Sequence, residues 1–215
     1  PEENPSPHPP HESVFEGGIS THLFTIDRFS TLIMKTQDPD GSPRSGKIQL
    51  MSDPAEGKWI GTNDKGARIP KTNTMIETSS GGSATVAHAE FDTYQLSTDP
   101  DLGADIACVS DNLPFILIPQ NTKTITATLA DHADHTLYVD VRDNNQSPIA
   151  EATVHLTDGG SIDETLSSTP EGCAFFTPLT PSTLTLEVSA PGFQTSTTTI
   201  DIAGQTETEI HLTPL

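Results

Sequence analysis

Two short acidic stretches hold the residue types that most often bind metal ions. The first is Asp-His-Ala-Asp-His at residues 131–135, where His132 and His135 are three positions apart. That spacing brings two side chains together on a helical turn but places them on opposite faces of a strand. Because the segments on both sides alternate as strands, we predict a solvated linker here and no metal site.

The second stretch is Asp-Pro-Asp-Gly-Ser, from Asp38 to Ser42. Its oxygen ligands have the spacing that starts a calcium loop, but the later carboxylates and the closing Glu of an EF-hand are missing. Asp99 and Asp101 repeat this pattern with the same shortcoming. We predict ordinary turns at both places.

Nucleophilic chemistry has no recognisable motif in the chain. There is no Gly-x-Ser-x-Gly sequence, and no Gly-rich phosphate loop precedes a helical pattern. His88 and His155 lie within alternating runs and are expected to be half-buried strand residues, whereas His8 and His11 belong to a Pro-rich tail. We therefore predict a protein that is not an enzyme, with no catalytic, cofactor-binding or metal-binding residues and no cofactor.

The two cysteines, Cys108 and Cys173, lie far apart in the sequence. They are either two unrelated buried thiols or one disulfide bond. The Thr- and Ser-rich acidic composition and the lack of any Cys-x-x-Cys spacing favour an oxidising compartment and hence the disulfide. A bridge closing so long a loop contributes about 4 kcal/mol if unstrained, and it would tie the two halves of the chain together.

The net charge narrows the possible partners. The chain has 10 Lys and Arg residues against 30 Asp and Glu, a formal charge of −20. A surface this acidic repels nucleic acid and anionic lipid. The longest apolar run, residues 113–119, is far shorter than the ~18 residues that a membrane helix needs. We predict no nucleic-acid partner, no membrane insertion by this segment, and an extracellular or cell-surface location.

The elements that would position any site are almost all strands. Residues 1–14 hold five prolines and are predicted to be an extended tail or linker. From Phe15 the chain alternates, and about seven short strands are expected up to residue 134. The clearest is the run from Ala84 to Leu96, expected as one strand, and the segments 47–52 and 58–63 are expected to pair.

After residue 134 the alternation of apolar and polar residues begins again. It gives seven more candidate strands, each bounded by Asn, Asp, Gly or Pro. Consecutive strand patterns without helical patterns exclude a parallel α/β architecture. We predict an all-β protein with two β-sandwich domains of immunoglobulin or transthyretin type in tandem, at residues 15–134 and 135–215, after the Pro-rich tail.

The C-terminal half carries a recognisable series of motifs. A strand ends in Asp, a turn leads to Pro-Ile-x-x-Ala-x-Val-x-Leu, a Gly-x-x-Phe-Phe-x-x-Leu step follows, and an Ala-x-Gly-aromatic-x-Thr turn closes the series. The residues concerned are Asp143, Pro148, Ile149, Ala152, Val154, Leu156, Gly172, Phe175, Phe176, Leu179, Leu184, Leu186, Val188, Ala190, Gly192, Phe193 and Thr195.

Residues 136–215 thereby resemble the carboxypeptidase regulatory-like family of transthyretin-like β-sandwiches. The resemblance implies a structural accessory domain, with Ile149, Val154 and Leu156 facing inward and Gly192 turning Phe193 over the core. More weakly, the whole chain resembles the exported part of bacterial pilin-like surface proteins.

Together these patterns predict a structural or adhesive surface module, a subunit or accessory of a pilus-like or other cell-surface filament. Its partners would be other copies of itself or other surface proteins. The alternative is a carbohydrate- or ligand-binding accessory module of a larger secreted protein, with glycans as partners and Trp59 as the aromatic platform.

Overall fold

The computed structural model of the protein describes residues 29–98 and 103–215. All regular elements in these residues are β-strands, so the predicted all-β sandwich fold is confirmed. The described residues contain no helix that is long and apolar enough to cross a membrane. The predicted tail at residues 1–14 and the start of the predicted N-terminal domain, residues 15–28, lie outside the described residues.

Within residues 29–98 and 103–131, the structure contains ten strands. They are β1 (Ser30–Gln37), β2 (Lys47–Ser52), β3 (Trp59–Thr62), β4 (Arg68–Pro70), β5 (Asn73–Glu77), β6 (Ser83–Ala89), β7 (Asp92–Thr98), β8 (Ala104–Val109), β9 (Phe115–Leu117) and β10 (Thr122–Asp131). Seven more follow: β11 (Thr136–Asp143), β12 (Thr153–Thr157), β13 (Asp163–Ser167), β14 (Cys173–Phe176), β15 (Ser182–Ser189), β16 (Ser196–Ile202) and β17 (Gln205–Leu212).

The first ten strands form what we call the N-terminal sandwich. One sheet has the order β6-β1-β10-β8 and the other the order β5-β2-β7-β9, while β3 and β4 form a separate hairpin. Strands β1 and β10 are parallel neighbours. Because successive strand residues point to opposite faces, Leu32 and Met34 from one sheet meet Ile48, Leu50 and Tyr94 from the other in one buried core.

The last seven strands form the C-terminal sandwich. Its sheets have the orders β14-β11-β17 and β13-β12-β15-β16, and β11 runs parallel to β17. The inward residues predicted from the alternation are confirmed, since Val154, Leu156 and Leu186 are fully buried and Ile149 is nearly so. Phe193 packs against the same core, as the turn at Gly192 requires.

The two sandwiches share one connectivity. Without β8, the order β6-β1-β10 corresponds to β14-β11-β17. The order β5-β2-β7-β9 corresponds in the same way to β13-β12-β15-β16, and the β3–β4 hairpin has no counterpart in the C-terminal sandwich. The turn after the first strand also repeats, because residues 38–43 and 143–148 both read Asp-x-x-x-Ser-Pro. In each turn the Asp N–H donates to the carbonyl of the Ser four residues later, at 2.8 Å and 2.9 Å.

The glycine before the fourth strand of the shared order has the same role in both sandwiches. Gly82 and Gly172 have φ of 63° and 86°, in the left-handed region. A Cβ would lie 2.2 Å from the carbonyl oxygen of Thr36 in the first case and 2.6 Å from that of Val141 in the second. Only glycine lets these two backbones approach so closely.

Three strand predictions in the N-terminal half were wrong. The run from Ala84 to Leu96 is two strands, because the chain reverses after His88, which has a φ of 62°, and β6 and β7 belong to different sheets. Segments 47–52 and 58–63 do not pair with each other, since β2 lies between β5 and β7. The seven expected strands became ten because the run from Ala84 to Leu96 is two strands and because β4 and β5 had too little alternation to be recognised.

Candidate interaction site between the two sandwiches

A disulfide bond joins the two sandwiches at their edges. Cys108 on β8 and Cys173 on β14 are bonded, with their Cα atoms 5.8 Å apart, so the predicted disulfide is confirmed. The hydroxyl of Tyr138 lies 3.2 Å from the Cys173 Sγ, and it is the donor because a disulfide sulfur carries no proton. The bridge holds an edge strand of each sandwich beside the other.

Arg142 makes a second connection between the sandwiches. It lies on β11 and is 9% exposed. Its Nε donates to Asp140 Oδ2 at 2.8 Å, and one of its terminal nitrogens reaches the Asn112 side chain of the N-terminal sandwich at 2.8 Å. The other terminal nitrogen donates to the Gln146 carbonyl. A nearly buried guanidinium therefore has partners in both sandwiches.

A third connection centres on Asp105 of β8. Its Oδ1 accepts a hydrogen bond from the Gln205 side chain on β17 at 2.8 Å and lies 2.9 Å from His132 Nδ1. The hydrogen bond and charge of Asp105 raise the pKa of His132, and burial opposes them weakly. The interaction of His132, in the linker between β10 and β11, with Asp105 on β8 is therefore strongest when the imidazole is protonated.

Between these connections lies a groove of about 1140 Å³, which we call the junction groove. Its floor is the outer face of the β14-β11-β17 sheet, and its opposite wall is the end of β7, strand β8 and the loop after it. Six of its lining residues are Asp or Glu and one is Arg. The rest of the lining mixes uncharged polar residues with apolar side chains such as Ile106, Leu113 and Phe175.

The junction groove carries uncompensated negative charge. Burial, with the charges of Asp140 and Glu207 adding to it, raises the pKa of Tyr138 to about 12. Burial also raises the pKa of Asp140, against the effect of Arg142, and Glu209 adds to the rise. The Oδ1 atom of Asp140 is buried and has no hydrogen-bond partner within the described residues. Positively charged groups are therefore the natural occupants of this groove.

The histidine stretch at residues 131–135 forms no helical turn. His132 pairs with Asp105, and its Nε2 lies 3.9 Å from Asp134. In residues 29–98 and 103–215, no three His, Cys, Asp or Glu side chains are grouped so that they could hold a metal ion.

The Asp38–Ser42 stretch is a turn. Asp40 Oδ1 accepts the Ser42 N–H at 2.8 Å, and Asp38 pairs with Arg44 at 3.1 Å. These carboxylates are thus engaged within the turn. Asp99 and Asp101, like His8 and His11, lie outside the described residues.

Trp59, the proposed carbohydrate platform, lies in β3 and is only partly exposed. The guanidinium of Arg68 lies 5.5 Å from its ring centroid. This arrangement uses one face of the ring within the hairpin. Glycan binding stays a prediction.

The sequence reasoning missed Asp105, Asn112, Arg142 and Gln205. No local pattern marks them, because each makes its contact with a residue at least 27 positions away. Only Arg142 could have been noticed in the sequence, because it is a charged residue directly after Val141 inside a predicted strand.

The C-terminal sandwich has parallel first and last strands and holds the motif residues in its core. Its residues 136–213 match the carboxypeptidase regulatory-like domain. This confirms the resemblance seen in the sequence, with boundaries close to those expected. The matched residues supply the floor of the junction groove and one half of the disulfide.

Solved structures with low similarity to this chain include bacterial pilins. The minor pilin of Streptococcus agalactiae is 15% identical, with 86% of this chain and 96% of that chain covered and a TM-score of 0.34. A streptococcal ancillary pilin is 14% identical, with 89% and 64% covered and a TM-score of 0.35.

The Bacillus anthracis TIE protein is 11% identical over 87% of this chain, with a TM-score of 0.33. This chain spans 34% of the length of that protein. No curated protein sequence matches the chain.

Proposed function

We propose that this chain is a non-enzymatic, load-bearing structural module of an exported cell-surface assembly, such as a pilus-like filament. The observation that carries the proposal is the parallel pairing of the first and last strands in each sandwich. Strand β1 pairs with β10 over seven registered residues from Thr31 to Gln37, and β11 pairs with β17 over eight from Thr136 to Asp143.

Tension along the chain would load these ladders in shear. A pull toward the N-terminus acts on β1 and a pull toward the C-terminus acts on β10, so the two parallel neighbours are drawn past each other along their axes. The hydrogen bonds between them lie across the strands and must break together, whereas an antiparallel hairpin pulled from its open end breaks them one at a time.

The two ladders are connected in series. Strand β10 ends at Asp131 and β11 begins at Thr136, so only four residues separate one ladder from the next. The Cys108–Cys173 bond spans this connection and encloses a covalent loop over a sequence separation of 65. That loop contains β10 and β11, which therefore cannot be extended while the bond is intact.

The disulfide also supports the proposed location. Disulfide bonds persist in oxidising compartments and are rare in the cytosol. Together with the formal charge of −20, which keeps copies soluble outside the cell, it favours an extracellular or cell-surface protein whose partners are other surface proteins or further copies.

We further propose residues 15–134 and 135–215 as separate folding units, because each contains its own core cluster. Production of residues 135–215 with Cys173→Ser tests this. Cooperative unfolding of the isolated segment is expected, and an unfolded segment would contradict the division.

Single-molecule force spectroscopy with handles at the two chain ends tests the load-bearing role. We expect rupture at higher force than in a control with handles on Thr153 and Ser167, which are register partners at the open end of an antiparallel hairpin and would unzip. Reduction of the disulfide should lengthen the full extension by about 210–230 Å, since the enclosed 65-residue separation releases about 3.3–3.6 Å per residue.

Two results would overturn the proposal. One is end-to-end rupture at forces no higher than in the unzipping control. The other is an extension that does not change on reduction, because the enclosed loop would then have been accessible to tension all along.

A further inference from the structure

The β3–β4 hairpin differs from the rest of the protein in charge. Residues 58–71, which we call the basic hairpin, hold four of the chain's 10 Lys and Arg residues and a single acid, Asp64. Residues 62–69 are all exposed. In a chain with a formal charge of −20, this positive projection is an exception.

The basic hairpin also presents apolar side chains. Ile60 is 49% exposed and Ile69 is 39% exposed, on neighbouring strands of the hairpin. No ion pair of Lys65 occurs within the described residues. The hairpin thus offers an unpaired ammonium group at its turn and two exposed aliphatic side chains on its strands.

The hairpin is held rigidly at its base. Asp92 Oδ1 accepts the Lys58 N–H at 2.8 Å, and Asp92 Oδ2 accepts the Ser52 hydroxyl at 2.6 Å. Lys71, the last residue of the hairpin segment, also lies at the base, and its ammonium group pairs with Glu90 at 3.2 Å. A surface fixed in this way loses little conformational entropy when it binds.

The junction groove has the complementary composition. Glu171 and Glu207 line it and form no ion pair within the described residues, and Glu209 is only paired with the exposed His211. Ile106, Leu113 and Phe175 supply apolar surface beside these carboxylates. The groove matches the hairpin in charge and in its mixture of polar and apolar groups.

The two surfaces lie at opposite ends of β7. The hairpin base is fixed to Asp92, the first residue of that strand, whereas Leu96, Ser97 and Thr98 at its last residues line the groove. Six strand steps of about 3.3 Å separate these ends by about 20 Å. The hairpin of one copy therefore does not fill its own groove but is available to the groove of the next copy.

We propose that the basic hairpin of one copy inserts into the junction groove of a neighbouring copy, giving a head-to-tail, non-covalent contact. Such a contact joins different surfaces of the two copies, and it generates an open filament when the rotation between copies does not close a ring. This inference rests on the proposed filament role and names its contact.

Charge reversal on both sides tests the contact by analytical ultracentrifugation of the full chain. The variant K65E/R68E places two carboxylates on the hairpin and keeps the acidic groove. The variant E207K/E209K keeps the basic hairpin and places two ammonium groups on β17, which leaves four acids and three bases in the groove. We expect wild type to self-associate and each variant to have a Kd about tenfold or more higher, because each loses attraction between hairpin and groove and brings like charges together at the substituted positions.

An equimolar mixture of the two variants is the decisive measurement. The substituted hairpin of one variant then meets the two lysines on β17 of the other, and the unchanged basic hairpin meets an unchanged acidic groove. Association should therefore return to within about threefold of the wild-type Kd. Association of wild type should also weaken as salt rises, because the charges are exposed.

Matched controls separate this contact from general charge effects. K35E/K47E changes the net charge as K65E/R68E does, and E164K/E187K changes it as E207K/E209K does, and all four control positions lie away from hairpin and groove. These controls should leave the Kd within about threefold of wild type. Circular dichroism and thermal unfolding verify that every variant is folded.

The proposal is overturned by a wild type that stays monomeric at all concentrations and salt conditions tested. It is also overturned if the variant mixture fails to associate, or if K65E/R68E associates as wild type does while E207K/E209K does not, since another segment would then occupy the groove. None of these results affects the force measurement on a single chain, so failure of the contact and failure of the load-bearing role are distinguishable.

Discussion

The N-terminal and C-terminal sandwiches are two versions of one strand order, and they differ in what has been added to it. Both pair their first and last strands in parallel and close the turn after the first strand in the same way. Only the N-terminal sandwich has the β3–β4 hairpin and strand β8. The shared frame contains the two buried cores, and the additions supply the surfaces that we propose to contact a neighbouring copy.

The comparison extends to a buried hydroxyl in each sandwich. Thr78 Oγ1 accepts the Gly46 N–H at 2.8 Å, and Ser168 Oγ accepts the Ala152 N–H at 2.9 Å. The segments after the two hydroxyls lead to Ser83 and Cys173 at corresponding strand starts. One of these positions has become half of the disulfide, so the shared frame was also adapted to join the two sandwiches.

The largest effects should come from the two cores, which a matched pair of variants compares directly. Leu50 on β2 and Leu156 on β12 occupy corresponding strands and are 2% and 0% exposed. Leu50→Ala and Leu156→Ala should each lower the free energy of unfolding by about 2–5 kcal/mol, because each leaves a cavity. Urea unfolding measures the loss in both variants. If only one variant lost less than about 1 kcal/mol, the two leucines would not be equivalent in the two cores.

The disulfide should have the next largest effect. Replacing Cys108 and Cys173 by serine should lower the free energy of unfolding by about 4 kcal/mol, because the unfolded chain regains the entropy of an open loop. Chemical denaturation of the double variant and of reduced wild type should agree. An unchanged midpoint in both would mean that the bond does not constrain the unfolded state.

Asp92 tests the hairpin that only the N-terminal sandwich has. Asp92→Ala should cost about 1–3 kcal/mol, because the Ser52 hydroxyl and the Lys58 N–H lose their acceptor. Hydrogen exchange should accelerate in residues 58–71 before it does elsewhere. Asp92→Asn keeps one acceptor oxygen and should lose less stability. If hydrogen exchange in Asp92→Ala accelerated equally in the hairpin and in the sheets, Asp92 would not be what attaches the hairpin to the sandwich.

The smallest effect should be the pH dependence of the connection at His132. Asp105 raises the pKa of His132 above its ordinary value of 6.5, so the protonated form is favoured in the folded protein. The added stability is complete below the ordinary pKa and is lost as pH rises through the raised folded value. NMR titration should show the raised pKa.

Two variants check the cause of that shift. Asp105→Asn should return the His132 pKa toward its ordinary value, because the carboxylate charge is removed. Gln205→Ala should leave it raised, since Asp105 remains. The same pKa in Asp105→Asn as in wild type would assign the effect to another group.

A good part of the C-terminal sandwich could be predicted from its sequence. Strands such as β12 and β15 alternate cleanly, and the inward positions of Val154, Leu156 and Leu186 follow from the period of two. The N-terminal half was harder because alternation does not reveal a reversal. The pattern from Ala84 to Leu96 continues unchanged past His88, where the backbone turns into the other sheet.

The sequence by itself determined the all-β class, the family of residues 136–213 and the acidic character of the chain, because these depend on composition and on spacings of a few residues. The Asp-x-x-x-Ser-Pro repeat was also present in it, although the shared turn became evident only in the structure. Only the tertiary structure decided that β1 lies beside β10, that Arg142 reaches Asn112, and that acids from both halves line one groove. The physical reason is distance along the chain: such contacts are fixed by which sheet edges pack together, and no local pattern records that choice.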